Sequence, residues 1–283
     1  MAFTTLVSPE QLAAHVEDAS WRIFDCRHEL ANPDVGEQAY RDGHIPGAQF
    51  LHLDRDLSGP KTGHNGRHPL PEPAALAAKL AQCGVSNETQ VVAYDDAGSM
   101  YAVRLWWLLR WLEHDKVAVL DGGLAAWQRA GYSVTPAVPS VSPAAFHYRV
   151  SDQPVGTDYV VSHLEDPRVL LIDSRGADRF RGENETIDPV AGHIPGAVSR
   201  PFRDNLEPDG RFKSPTQLRE EFGALLNRHT PEEIVAYCGS GVSACHNLLA
   251  LELAGLPGAR LYPGSWSAWC SDRARPVATG SDE

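Results

Sequence analysis

The 283-residue chain has no long apolar run. The stretch LWWLLRWL, Leu105 to Leu112, is interrupted by Arg110 and falls well short of the ~18–20 residues of a membrane span. No membrane contact is expected. The opening residues, MAFTTLVSPEQ, show neither a basic n-region nor an apolar h-region, so no signal peptide is expected. Positive charge is in deficit: 25 Lys and Arg against 37 Asp and Glu leave a formal charge of −12. That balance excludes a generic nucleic-acid or anionic-lipid surface, and an anionic ligand would need a local cluster of donors. Cysteine is sparse. Cys26, Cys83, Cys238, Cys245 and Cys270 are odd in number and form no C-x-x-C pair, which excludes a disulfide scaffold. A cytoplasmic protein with reduced thiols is the expectation. No stretch completes a P-loop or dinucleotide fingerprint. No regular metal-ligand spacing occurs either, and neither cofactor nor metal is expected.

What is present is a repeat. IFDCRHEL (Ile23–Leu30) matches LIDSRGAD (Leu171–Asp178), and GHIPGA occurs twice, around His44 and His193. VVAYDDAG (Val91–Gly98) matches IVAYCGSG (Ile234–Gly241), and DGGLAAW (Asp121–Trp127) matches PGSWSAW (Pro263–Trp269). The four matches keep their order at an offset of 142 to 149 residues. Constant order and offset mean a duplicated domain, and two long copies exclude a solenoid. Between them runs a segment with Pro136, Pro139, Pro143 and Pro154 and no helical pattern, which reads as a semi-rigid linker. The expected division is 1–138, a linker at 139–148, and 149–283.

Within each copy, short apolar strands (WRIFDC, QVVAYD, VAVLDG; RVLLIDS, EIVAYC, ARLYPG) alternate with helical segments. Near-continuous apolar strands between helices predict an α/β fold: two tandem domains, each a parallel sheet flanked by helices. In such sheets ligands sit beyond the carboxyl ends of strands. Asp95 and Cys238 both stand at such an end, one in each copy.

Cys238 is followed by Gly239, Ser240, Gly241, Val242 and Ser243, then a helix. Two glycines in three positions let the loop turn its amides inward, and the helix N-terminus favours an anion at the same place. A cysteine there should have a depressed pKa and react as thiolate. Three chemistries use such a loop. A cysteine phosphatase needs an arginine six positions after the thiol, and this chain has Ala244 there. A thiol protease needs a paired histidine, and none of His44, His193 and His246 stands in a protease-like local motif; His246 reads as solvent-facing or capping. Sulfur transfer needs only a thiolate and a small anion cradle. Cys26, Cys83, Cys245 and Cys270 read as buried structural thiols.

The duplicated domain, the two GHIPGA motifs, CGSGVS and GSWSAW resemble the rhodanese superfamily, and specifically its two-domain sulfurtransferases, over essentially the whole chain. The resemblance implies an N-terminal rhodanese-like domain without the catalytic cysteine and a C-terminal catalytic one. It implies that Cys238 takes sulfur from a small anionic donor as a persulfide and passes it to cyanide, a small thiol or thioredoxin. The loop Cys-Gly-Ser-Gly-Val resembles that of 3-mercaptopyruvate sulfurtransferases, with Ser240 as the hydroxyl that positions or polarises the donor thiol and Ser243 replacing the usual threonine. Thiosulfate as donor, and a non-catalytic sulfur-carrier or binding role, remain alternatives. Family members of the mercaptopyruvate type carry two substrate arginines ahead of the second GHIPG. Arg179 matches the first, but Asp188 stands where the second is expected, and Arg181, Arg200 or Arg203 could substitute.

Other residues read more plainly. His44 and His193 recur in both copies, which favours a turn role, although the resemblance also places His44 near the substrate. Asp25 with Arg27 and Asp173 with Arg175 read as strand-end ion pairs. Trp106, Trp107 and Trp111 have the spacing of helix packing, and Trp266 could wall the cleft. Gly59–Pro69 reads as a surface loop.

Overall fold

The computed structural model describes residues 2–281. The chain separates into two compact units, each an α/β layer structure. The first holds the residues up to Gly59, Leu70–Ser151 and Pro208–Phe212; the second holds Pro60–Pro69, Asp152–Glu207 and the residues from Lys213 onward. Each unit therefore takes in a short segment from the other half of the chain. The expected linker residues 139–148 group with the first unit.

In the first unit the strands are β1 (Leu6–Val7), β2 (Trp21–Asp25), β3 (Ala48–Phe50), β4 (Gln90–Tyr94) and β5 (Val117–Leu120). They form one parallel sheet in the order β1-β5-β4-β2-β3. Its helices are α1 (Pro9–Ala13), α2 (Asp34–Asp42), α3 (Pro73–Gln82), α4 (Ala102–Trp111) and α5 (Gly123–Arg129). Every residue of β4 and β5 is buried, as an inner parallel strand with both faces covered requires. Trp106, Trp107 and Trp111 are buried within α4, as their spacing predicts.

The second unit repeats the plan with β6 (Leu170–Asp173), β7 (Val198–Ser199), β8 (Ile234–Tyr237) and β9 (Arg260–Leu261), in the order β7-β6-β8-β9. The Val155 N–H donates to the Leu261 carbonyl at 2.8 Å, taking the edge position that β1 holds in the first copy. The helices are α6 (Thr157–Ser162), α7 (Ala177–Arg181), α8 (Pro215–Leu226), α9 (Ala244–Leu253) and α10 (Ser265–Trp269). Helix α8 starts on a capping box from Ser214 and Gln217 with Pro215 at its first position. Helix α9 is buried from Ala244 to Leu251 on all sides. His246 is therefore not solvent-facing: it is fully buried, and Asn205 Nδ2 lies 3.2 Å from its Nδ1. The helix that carries it has no wet face to offer, so the ring finds a polar partner inside.

The repeated motifs are explained by one buried network in each copy. Asp173 ends β6, and the Arg175 guanidinium donates to it through Nε and Nη2 at 2.6–3.0 Å. Arg175 Nη2 also donates to the Gly192 carbonyl at 2.6 Å. Tyr237, at the end of β8, accepts the Ile194 N–H at its hydroxyl. The first copy repeats this with Asp25, Arg27, the Gly43 carbonyl, Tyr94 and the Ile45 N–H. The motif GHI thus supplies a carbonyl and an N–H to an ion pair at the strand end. Burial works against the charge on Arg175, but Asp173 outweighs it and holds the guanidinium protonated. The two ion pairs are structural, as their repetition in both copies predicts.

The histidines of the motif serve the same turns. His193 Nδ1 lies 2.8 Å from the Phe180 carbonyl, with its ring stacked on Phe180. His44 Nδ1 lies 2.7 Å from the Tyr40 carbonyl, and Nε2 lies 3.1 Å from that of Ala137. Its ring stacks on Tyr40.

Removing one partner of a buried pair leaves an uncompensated charge. Asp173→Ala and Asp25→Ala are each expected to lower stability by about 3–5 kcal/mol, read from urea unfolding midpoints. A loss under ~1 kcal/mol in both would show that the pairs do not hold the strand ends.

Candidate active site

Cys238 follows β8 directly and is almost wholly buried. The network just described fixes Tyr237, and so fixes where the loop begins. The Cys238 N–H donates to Ser265 Oγ at 3.0 Å, and that hydroxyl donates to the Tyr262 carbonyl at 2.9 Å. The Cys238 carbonyl accepts the Trp266 N–H, and the Gly239 carbonyl accepts the Ser267 N–H, each at 2.9 Å. Ser265 pays for this with a left-handed backbone, φ 53°, a conformation that costs a non-glycine residue on the order of 1 kcal/mol or more.

The loop then folds back. Gly241 has φ +75°, and a Cβ there would lie 2.4 Å from the Pro263 carbonyl oxygen. Only glycine meets both conditions. The fold-back brings the Gly241 N–H to 3.2 Å from Cys238 Sγ, aimed at the sulfur.

The first copy shows what this cradle binds. Asp95 sits at the matching strand end, fully buried. Its carboxylate accepts the N–H groups of Ala97, Ser99, Tyr101 and Ala102 at 2.8–2.9 Å. The loop's inward amides are there satisfied by the protein's own anion. In the second copy the residue at that place is a thiol.

Two side chains from Pro60–Pro69 complete the site. His68 Nδ1 lies 2.7 Å from Ser240 Oγ, and both residues are buried. Arg67 donates its backbone N–H to Ser267 Oγ at 3.0 Å. Its side chain forms an ion pair with Asp188. Gly66, at φ +89°, lies so close to the Gly264 carbonyl that a Cβ would come within 2.7 Å. The end of the segment, from Gly66 onward, is thus packed onto the turn that leads into α10, which the surface-loop reading did not anticipate. Pro60–His64 are exposed and Gly63 stands in open space, as a surface loop predicts. Neither His68 nor Arg67 was singled out from sequence. They stand some 170 residues before the loop they touch, and only the Gly-x-x-Gly-Arg-His spacing hinted at anything beyond a turn.

Arg179 is where its motif predicts. It donates to Glu185 through Nε and Nη2, and to Asp188 through Nη2 at 3.0 Å. Glu185 is buried, which works upward on its carboxyl, but the Asp188 N–H and Arg179 prevail and hold it below the ordinary value. Burial pushes the Asp188 carboxyl up, against the pull of Arg67. The proposed substitutes lie elsewhere: Arg181 pairs with Glu183, Arg200 with Glu221, and Arg203 lies over the Phe202 ring. Trp266 is fully buried, donates to the Val190 carbonyl, and carries the Arg175 guanidinium over its ring. It is core rather than cleft wall, because the indole is sealed between that cation and the sheet. The other thiols are buried. Burial pushes Cys26 and Cys83 up, and Cys270 to about 11, which leaves them poor nucleophiles near neutral pH.

In the first unit His28, His52 and Asp54 bring ligand atoms within 4.8 Å of one another. His52 Nδ1 accepts the N–H groups of Asp54 and Arg55, which leaves the ring proton on Nε2. Neither nitrogen then has a lone pair to give a metal ion, so the donor set does not fit one.

The chain is similar to known proteins. A family model described as "Rhodanese-like domain" matches residues 8–130 and 157–272. The chain is 50% identical to a Pseudomonas aeruginosa protein named "Probable 3-mercaptopyruvate sulfurtransferase", over 99% of this chain and all of that one. It is 36% identical to the thiosulfate sulfurtransferase of Bos taurus, over 94% of this chain and 92% of that protein. The crystal structure of the 3-mercaptopyruvate sulfurtransferase SseA from Escherichia coli superposes with a TM-score of 0.80 at 31% identity, over 93% of this chain and 99% of that one.

Gly241→Ala is expected to lower stability by about 1–3 kcal/mol and to slow alkylation of Cys238 by iodoacetamide. Thermal melting with mass-detected alkylation checks both. If neither changes, the fold-back does not depend on glycine.

Proposed function

As a member of the rhodanese family the chain is a sulfurtransferase, and we propose that it takes sulfur from 3-mercaptopyruvate onto Cys238 and passes it to a thiol or cyanide acceptor. The observation that carries this reading is the pairing of the two loops. One cradle closes on the Asp95 carboxylate with four N–H bonds, and the other presents Cys238 Sγ with the Gly241 N–H upon it. A cradle of that kind holds a thiolate and, after reaction, an anionic persulfide.

The chemistry balances without a cofactor. The Cys238 thiolate attacks the donor's thiol sulfur, an S–S bond forms, and the donor's C–S bond breaks. Its electron pair passes to the carbon and on to the adjacent carbonyl oxygen, giving the enolate of pyruvate, which takes up a proton. The enzyme is left as Cys238 persulfide. An acceptor thiolate or cyanide then attacks the outer sulfur and returns Cys238 to the thiolate. Ser240 and His68, hydrogen-bonded to each other, are the proton-handling pair of the loop. The hydroxyl polarises the donor thiol, and the imidazole holds the hydroxyl in place.

Mercaptopyruvate is preferred to thiosulfate because the loop carries Gly239 and Ser240 where a basic pair would suit a dianion. The relative at 50% identity bears the mercaptopyruvate name. Thiosulfate is the second reading, supported by the 36% identity to the bovine thiosulfate enzyme. Thioredoxin is a candidate acceptor, and a cytoplasmic setting fits a thiol that must stay reduced. No helix among the described residues is long and apolar enough to cross a membrane.

Intact mass of donor-treated protein is expected to rise by one sulfur atom, and Cys238→Ser to abolish both the gain and turnover. Ser240→Ala should lower kcat by about 10²–10⁴-fold if the hydroxyl moves a proton. A Cys238→Ser variant that turns over like wild type sinks the reading.

A further inference from the structure

Position 188 holds a carboxylate rather than a guanidinium, yet a second guanidinium reaches the loop. A Cβ placed on Gly239 would lie 2.7 Å from Arg67 Nη2 and 3.6 Å from Arg179 Nη1. Gly239 is the residue next to Cys238, so two arginines from distant parts of the chain converge on the reactive loop. Their orientation is set from behind. Asp188 takes Arg67 through Nη1, and Glu185 and Asp188 take Arg179 through Nε and Nη2. Asp188 and Glu185 are themselves buried, and the Asp188 N–H donates to Glu185 at 2.9 Å. The acids thus hold Arg67 through Nη1 and Arg179 through Nε and Nη2, while Arg67 Nη2 and both terminal nitrogens of Arg179, the latter at 3.6 and 3.7 Å from the same point, lie toward the loop.

We propose that Arg67 is the second donor-binding arginine, gripping the carboxylate of the sulfur donor together with Arg179, and that Asp188 is the residue that positions it. The proposal deepens the mercaptopyruvate reading and rests on it. Two planar guanidiniums meeting over one loop suit a carboxylate, whose two oxygens each take a charge-assisted N–H bond. The local charges favour that ligand over a dianion. Arg67, Arg175 and Arg179 are balanced by Asp173, Glu185 and Asp188. With no net positive field, selectivity comes from directed N–H groups, which reward a planar monoanionic group.

The test has two arms. Calorimetry measures pyruvate, the product that keeps the donor's carboxylate, binding to Cys238→Ser with and without Arg67→Ala. Steady-state kinetics compares mercaptopyruvate and thiosulfate in wild type, Arg67→Ala, Arg67→Lys, Asp188→Asn and the double variant. Loss of Arg67 is expected to weaken pyruvate about 10- to 100-fold, the equivalent of one charged hydrogen bond. It should lower kcat/KM for mercaptopyruvate by a similar factor, mainly through KM, with a smaller effect on thiosulfate. Arg67→Lys, which keeps charge and bulk without the fork, should fall in the same direction and serves if the alanine variant melts early. Asp188→Asn should act in the same sense, and its effect should largely vanish once Arg67 is gone. Unchanged pyruvate affinity in a folded Arg67 variant overturns the proposal, as does full additivity of the Arg67 and Asp188 effects. If wild type gains no sulfur on Cys238 from either donor, the sulfur-transfer reading fails instead, and the pyruvate titration still decides whether Arg67 binds a carboxylate.

Discussion

The site depends on a carboxylate that never meets substrate. Asp173 ends its strand in the interior and is tied by Arg175 through three hydrogen bonds. The same guanidinium reaches the Gly192 carbonyl, and Arg175 stacks over Trp266. One buried charge pair therefore joins the end of β6, the GHIPG turn and the helix that backs the reactive loop. Tyr237 lies opposite Asp173 in the sheet register and takes the Ile194 N–H. The next residue is Cys238. The start of the Cys238 loop is thus set by a network whose parts are each too costly to leave unpaired.

Duplication left an internal control. Both copies build the strand end and the turn, but four loop amides close on Asp95 in one and the Gly241 N–H meets Cys238 Sγ in the other. Asp95 satisfies four N–H groups of its own loop. At Cys238 the Gly241 N–H meets a thiol sulfur instead of a carboxylate oxygen. On the proposed function, the exchange of one residue type is what separates a structural loop from a sulfur-carrying one.

Much of this was legible in the sequence. The repeat, the parallel α/β plan, the strand-end pairs and the cysteine loop follow from local order: apolar runs, glycine positions and motif spacing. Trp266 and His246 were misplaced for one reason. Their local pattern does not reveal that α9 is covered on every side over Ala244–Leu251, nor that Trp266 faces the interior in α10. The Gly59–Pro69 stretch is a surface loop over its first half, but its glycines do not reveal that Gly66 closes on Gly264.

What the sequence determined by itself is the chemistry at the centre: a cysteine between a buried strand and a helix, with glycines where the chain must turn. These are effects of neighbouring residues, and neighbouring residues can be read in a line. What only the tertiary structure decided is the company Cys238 keeps. His68 lies on Ser240 and Arg67 over Gly239, from a segment some 170 residues away. Asp188, which looked like a missing arginine, lies beneath that guanidinium as its counter-ion. Long-range pairs of this kind follow from charge and packing in three dimensions. No spacing along the chain encodes them.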